Sequence, residues 1–264
     1  MAKGVSIKFK SYSESVSNLL KLTKFENELK KHSVIVLKPY LKNSESVHTP
    51  AEFTEAVLNY CMNHKNPEAQ VYIAEGSDGE ETMDVFDRLG YKKLAEQYSV
   101  SLIDLNTSDI EEVRDGEFVK FPSIKFPKIL QNAYVISLPK LTEDNEMEII
   151  GSLSNMIGAF PAKHYTGWFS NTKNKIRNNH IKYAIHDIIK CKMPNTCIID
   201  ASDKGFVMLG DPIEMDKQGA KLLGKDWRSI QHLKLIDESH ANMLNWLAKK
   251  QEAKFQKQQE VAEQ

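Results

Sequence analysis

Four short apolar runs punctuate the chain, at 34–37 (VIVL), 71–74 (VYIA), 134–138 (YVISL) and 196–199 (TCII). They do not alternate sharply between polar and apolar positions, which is the pattern of strands buried on both faces. Pro39 and Pro139 stop the first and third runs. Between the runs the apolar period lengthens to that of helices. Val16, Leu19, Leu20 and Phe25 recur at helical spacing, as do Phe53, Val57, Tyr60 and Cys61. The second group follows Thr49-Pro50-Ala51-Glu52, which reads as a capping hydroxyl, a proline in the first turn and an acid three residues after the cap. Helices are also predicted over 82–98, broken near Gly90, and over 143–157, 181–190 and 214–223. A further strand is predicted over 100–105, and an edge strand or hairpin arm over 116–121. The stretch 159–179 reads as a long loop, and 240–264 as a last helix that turns polar after Leu247.

Strands that alternate with helices predict an α/β fold: a mostly parallel central sheet with helices on both faces. The expected organisation is one α/β domain over 1–240. A polar tail follows over 241–264, either a frayed, solvated helix or one that binds a partner.

Composition narrows the partners. Thirty-five basic and 36 acidic residues leave a formal charge of −1, which gives no electrostatic reason to expect nucleic acid. No run approaches the ~18 apolar residues of a membrane span, and the first ten residues lack a secretory apolar core. A soluble, cytoplasmic protein with no membrane partner is expected. The three cysteines (Cys61, Cys191, Cys197) form no C-x-x-C pair and are too few to supply four thiolates to an iron–sulfur cluster. The eight histidines show no metal-ligand spacing. Gly219 to Lys225 imitates a phosphate loop, but Asp226 stands where a magnesium-binding hydroxyl is needed, and the stretch reads better as a helix ending in a glycine cap.

In open parallel sheets, ligands bind beyond the carboxyl ends of the strands. The residues leaving the four apolar runs there include Lys38, then Glu75 and Ser77, then Lys140, then Asp200. Charged groups are seldom buried unless paired, so these residues either form a site or mark where each strand leaves the core. Lys38, Glu75, Lys140 and Asp200 are the catalytic candidates, with His48 and His180 as possible proton carriers. The 160–177 loop interleaves Lys163, His164, Lys173, Lys175 and Arg177 with Phe160, Tyr165, Trp168 and Phe169. It either closes over an anionic ligand or simply covers the core. Ser77, Asn155, Lys163 and Trp168 are the candidate ligand contacts.

An ordered series of motifs carries a resemblance: Val34 to Pro39, His48-Thr49-Pro50, Ala74-Glu75-Gly76, Leu89-Gly90-Tyr91, Ile136 to Lys140, Leu153 to Gly158, Ile198 to Ala201 and Ala220 to Gly224. The series resembles the prokaryotic domain-of-unknown-function family number 362, over roughly Val34 to Leu233, most of the chain. The resemblance implies an α/β fold with no settled reaction. Some members of that family carry a ferredoxin-like cluster domain, for which this chain lacks the cysteines. The chain also departs from the family pattern at Tyr40, where asparagine is usual, at Thr142-Glu143-Asp144, where a Lys-Thr-His-like stretch is common, and at Ser154, where a lysine is lost. Basic and imidazole groups are thus partly gone, which implies a diverged member.

Two functions follow from the sequence. One is an enzyme or binding protein for a small anionic metabolite; the cofactor, if any, is not identified. The other is a non-catalytic interaction protein that reaches a protein partner through its C-terminal helix. The cysteine count makes a first prediction. The purified monomer shows no visible iron–sulfur absorption band, and stoichiometric iron and sulfide in it would contradict this reading.

Overall fold

The computed structural model describes residues 4–178 and 180–242. Its eleven strands are β1 Gly4–Lys8, β2 Val34–Pro39, β3 Gln70–Glu75, β4 Ser101–Asp104, β5 Ile110–Val113, β6 Ile124–Pro127, β7 Tyr134–Leu138, β8 Thr142–Asp144, β9 Glu148–Ile150, β10 Thr196–Ala201 and β11 Phe206–Gly210. Seven of them form one sheet in the order β1-β11-β10-β7-β2-β3-β4. The neighbours from β10 to β4 pair in parallel, and β11 pairs antiparallel with both β10 and β1. All four apolar runs are strands of this sheet. From β2 the chain builds outward to β3 and β4, then returns to the other side of β2 as β7. The gap between the carboxyl ends of β2 and β7 is therefore the topological switch point, where open α/β sheets bind ligands.

Each central strand buries side chains on both faces. Ile35, Leu37, Ile73, Ile136 and Ile198 pack with the helices Tyr12–Leu22 and Ala51–His64. Val36, Ala74 and Val135 pack on the opposite side with the 3-10 helix Ser154–Ala159 and the helix Ile181–Cys191. Gly90 does break its helix, into Thr82–Arg88 and Tyr91–Tyr98. The phosphate-loop lookalike is the end of the helix Pro212–Leu222, with Gly224 just beyond it at φ +75°. Among the described residues no helix is long and apolar enough to cross a membrane.

Four sequence expectations need correction. The helix predicted over 143–157 is instead the β8–β9 hairpin followed by the 3-10 helix. The Asp144 carboxylate accepts from the backbone N–H of Glu146 (2.8 Å) and Met147 (2.7 Å), which stabilises a turn where a helix would have to continue. Downstream, the buried Asp216 carboxylate accepts from Ser152 N–H (2.7 Å) and Leu153 N–H (2.9 Å) and fixes the entry to the 3-10 turn. No strand forms over 116–121. There the N–H groups of Val119, Lys120 and Phe121 donate to the Asp187 carboxylate, so no sheet partner is needed. Thr49 does not cap the helix Ala51–His64. Its hydroxyl donates to Leu138 O and accepts from Tyr40 N–H, tying β7 to the end of β2. The 159–179 stretch contains two helical turns, Ala162–Tyr165 and Asn174–Arg177. Residues 231–242 are helical, and the rest of the predicted C-terminal helix lies outside the described residues.

Asp187 generates a prediction. Burial pushes its pKa up, but the hydrogen bonds from His186 and the three backbone N–H groups outweigh burial and hold it below the ordinary aspartate value. Its stabilising contribution is therefore full above the ordinary aspartate pKa and is lost as pH falls through the depressed folded value. Replacing Asp187 by Ala orphans three N–H donors and costs about 3 kcal/mol in urea unfolding at pH 7. Wild type and variant should converge in acid, and equal stability at pH 7 would contradict this account.

Candidate functional site

Side-chain alternation turns Leu37 into one core and Lys38 toward the other, where Lys38 is 0% exposed. Its Nζ donates to both oxygens of Glu75, at 2.8 and 2.9 Å. It also donates to Asn155, at the backbone O (2.8 Å) and Oδ1 (3.2 Å). The Asn155 amide in turn donates to Lys38 O (2.9 Å) on β2 and Ser137 Oγ (3.0 Å) on β7. One asparagine thus spans the switch point and orients the buried lysine. Gly158 is required by proximity, because a Cβ there would overlap Glu75 Oε1. Burial pulls the Lys38 pKa down, and the Glu75 carboxylate opposes the shift without cancelling it.

A second lysine is equally buried beside this pair. Lys173 is 0% exposed, and its Nζ donates to Gly76 O (2.7 Å) and Gly158 O (3.3 Å). Among the described residues no carboxylate bonds that amine directly. Burial pushes its pKa down to about 8, against the opposing pull of Glu75 and Asp78. Asp78 fixes the segment, with Oδ1 accepting from Lys173 N–H at 2.6 Å. Arg177 bridges outward from there, pairing with Asp78 Oδ2 (2.6 Å) and Glu146 Oε1 (2.7 Å). Tyr40, Glu75, Lys173 and Arg177 line a cavity of about 20 Å³, room for one water. Tyr40, at the family's asparagine position, is buried, and its pKa is pushed up by that burial.

The other candidates lie elsewhere. Lys140 pairs with Asp203 at 3.1 Å. Asp200 accepts from Tyr12 OH (2.9 Å) and Ser202 N–H (2.9 Å). The two are backbone neighbours in an isolated parallel bridge. Among the described residues no hydrogen bond or ion pair joins them to Lys38 and Glu75. Asp200 has the alternation of Ile198 and faces the helix Tyr12–Leu22, whereas Lys38 has that of Val36 and faces away. His48 bonds Ser46 O at 2.9 Å, and His180 is exposed at the start of the helix Ile181–Cys191. Ser77 is buried, with its hydroxyl given to Leu41 O at 2.8 Å. Lys163 is exposed and Trp168 is 96% exposed, and neither lines the cavity beside Glu75. The 160–177 loop reaches the pair through Lys173 and Arg177 rather than through Trp168.

Sequence reading missed Lys173 and Arg177 as individuals among five basic residues of one loop. The available signal was Ile176, an apolar residue in a polar run, which is buried and lies between them. Among the described residues no group of three or more His, Cys, Asp or Glu could hold a metal ion.

Comparison with known proteins adds three findings. The family model described as "Domain of unknown function (DUF362)" matches residues 35–226. Among solved structures, the chain is similar to the lactate racemase apoprotein from Thermoanaerobacterium thermosaccharolyticum, at 14% identity and a TM-score of 0.54. That likeness is one of fold. It covers 85% of this chain but 58% of the racemase, so the chain spans little more than half that protein's length. No curated protein matches.

The buried pair predicts a non-additive mutant cycle. Lys38→Met alone strands the Glu75 carboxylate and costs about 3–5 kcal/mol, whereas Lys38→Met with Glu75→Leu recovers most of that loss. Additive losses in chemical denaturation would show that the two residues are not coupled.

Proposed function

The chain belongs to the DUF362 family, and from that premise we propose that it binds a small anionic metabolite where β2 and β3 end. Lys173 and Arg177 supply the positive charge that holds the anion. Glu75, paired to Lys38, is the proton acceptor if the ligand is turned over. The observation that carries this reading is the burial of two lysines around one glutamate at the carboxyl ends of β2 and β3, beside the switch point. Isolated buried charge costs several kcal/mol per ion, and the core would be no less stable with apolar groups there. Lys173 supports it further, since an amine with a pKa of about 8 exchanges its proton near neutral pH.

The racemase that shares the fold acts, by its name, on a small carboxylate, in keeping with an anionic ligand here. The three free, buried cysteines favour the cytoplasm. Pairing of β1 with β11 favours one α/β domain over 1–240, because the start of the chain completes the sheet its later part builds. A non-catalytic interaction protein is the second reading. It is favoured by the adjacent Trp168 and Phe169, both fully open to solvent.

Lys173→Met tests the proposal, with L-lactate and inorganic phosphate as probes in calorimetric titration. Wild type is expected to bind at least one of them, and the variant at least about tenfold more weakly. The variant's melting temperature should change little, because the loss of a buried charge offsets the two carbonyls, of Gly76 and Gly158, that are left without a donor. The sign of the pH effect follows from the depressed pKa. Anion affinity falls as pH rises through about 8, where Lys173 loses its proton. Fold stability climbs from about 8 toward the ordinary lysine value of 10.5, since the unfolded chain still holds that proton. Binding of neither anion, or unchanged binding by the variant, would overturn the proposal.

A further inference from the structure

Beyond the inner cavity lies a larger cleft of about 260 Å³. Met147 and Arg177 line both spaces and form the wall between them. Met147 and Glu146 sit on the turn between β8 and β9, and Glu146 holds that turn against Arg177. The far side of the cleft is formed by Lys182, His180 and His232. Lys182 has no ion pair among the described residues. The helix Ile181–Cys191 begins there without a side-chain cap, so its N-terminal dipole is open to an anion. His232 is 1% exposed, and its Nε2 is buried with no hydrogen-bond partner among the described residues. A nitrogen so placed calls for a water or a ligand atom.

We propose that this cleft is the entry site for a small carboxylate, and that the carboxylate takes Glu146's place on Arg177. The exchange keeps the guanidinium paired throughout, with one carboxylate leaving as another arrives. Asp78 stays on Arg177 from the inside, itself held by Lys173 N–H. What moves are side chains at the hairpin tip, whose backbone Asp144 keeps in place. Once Glu146 lets go of Arg177 and of Lys42, 3.9 Å away, the Met147 side chain swings outward, and the cleft joins the cavity beside Lys173. The outer pair is the one built to exchange: Glu146 and Arg177 are 29% and 25% exposed, against 6% for Asp78. This inference rests on the anion-binding reading and adds the ligand's route and its contact.

The first arm of the test needs no bound ligand. The full chain is pulsed with acetic anhydride at pH 8, and acetylation of each lysine is read by mass spectrometry. In wild type, Lys173 should react far more slowly than the exposed Lys163. Glu146→Gln removes the charge of one of the two carboxylates paired with Arg177 and should speed Lys173 acetylation about tenfold. Lys38, buried behind Asn155, should stay unlabelled in both proteins. In a second arm, L-lactate titrated into Glu146→Gln should bind more tightly than to wild type, because the internal competitor has gone. An unchanged Lys173 rate, or Lys38 labelling in step with Lys173, overturns the route. So does L-lactate binding that Glu146→Gln leaves unchanged or weakens. If wild type binds neither L-lactate nor phosphate, the anion-binding reading fails, whereas the acetylation rates judge the route separately.

Discussion

An ammonium group sealed inside a protein must be surrounded by oxygen, and the middle of this fold is arranged to provide it for Lys38. Glu75 supplies two acceptors and Asn155 two more. Meeting that demand fixes the neighbours. Asn155 must come from a turn that reaches across β2 and β7, so the chain after β9 forms a 3-10 helix there. The turn must approach Glu75 so closely that only glycine fits at position 158. The carbonyls of Gly76 and Gly158 are then left facing a common point, and Lys173 occupies it. Breaking the first pair would remove the reason for each later placement.

The sheet was legible because its signal is local. Runs such as Val34–Leu37 must be buried on both faces wherever they lie, and their burial needs no knowledge of the partner. The Lys38–Glu75 pairing was legible for a related reason: parallel neighbours end on the same side, so residues leaving adjacent strands meet. Lys140 and Asp200 obey the same rule only in part. They do end on that side, but the period-two alternation of strands sends Asp200 to the opposite face from Lys38. Strand order and face must both be known before residues at one edge can be grouped, and the sequence shows neither directly.

What stayed hidden depends on distant partners. The apolar spacing of 143–157 fits a helix, yet Asp144 and Asp216 capture backbone N–H groups that a helix would have used. Asp216 lies more than sixty residues downstream of the turn it holds, so no local pattern announces it. Lys173 is hidden in the same way. Ile176 marks its segment as partly buried, but it does not separate Lys173 from Lys175, and only the carbonyls of Gly76 and Gly158 make Lys173 the buried one.

Asp216 also links this architecture to the acidity of its surroundings. Burial pushes its carboxyl up to about 7, against the two backbone N–H groups it accepts. In the unfolded chain the same group releases its proton near the ordinary aspartate value of 3.8. Between those two values, assembling the turn that carries Asn155 draws a proton out of solution. The heat of folding must then include the heat with which the buffer gives that proton up, so the apparent enthalpy depends on the buffer chosen. A chain whose Asn155-bearing turn is held by a carboxyl of raised pKa thus exchanges protons with its medium in the act of forming its site.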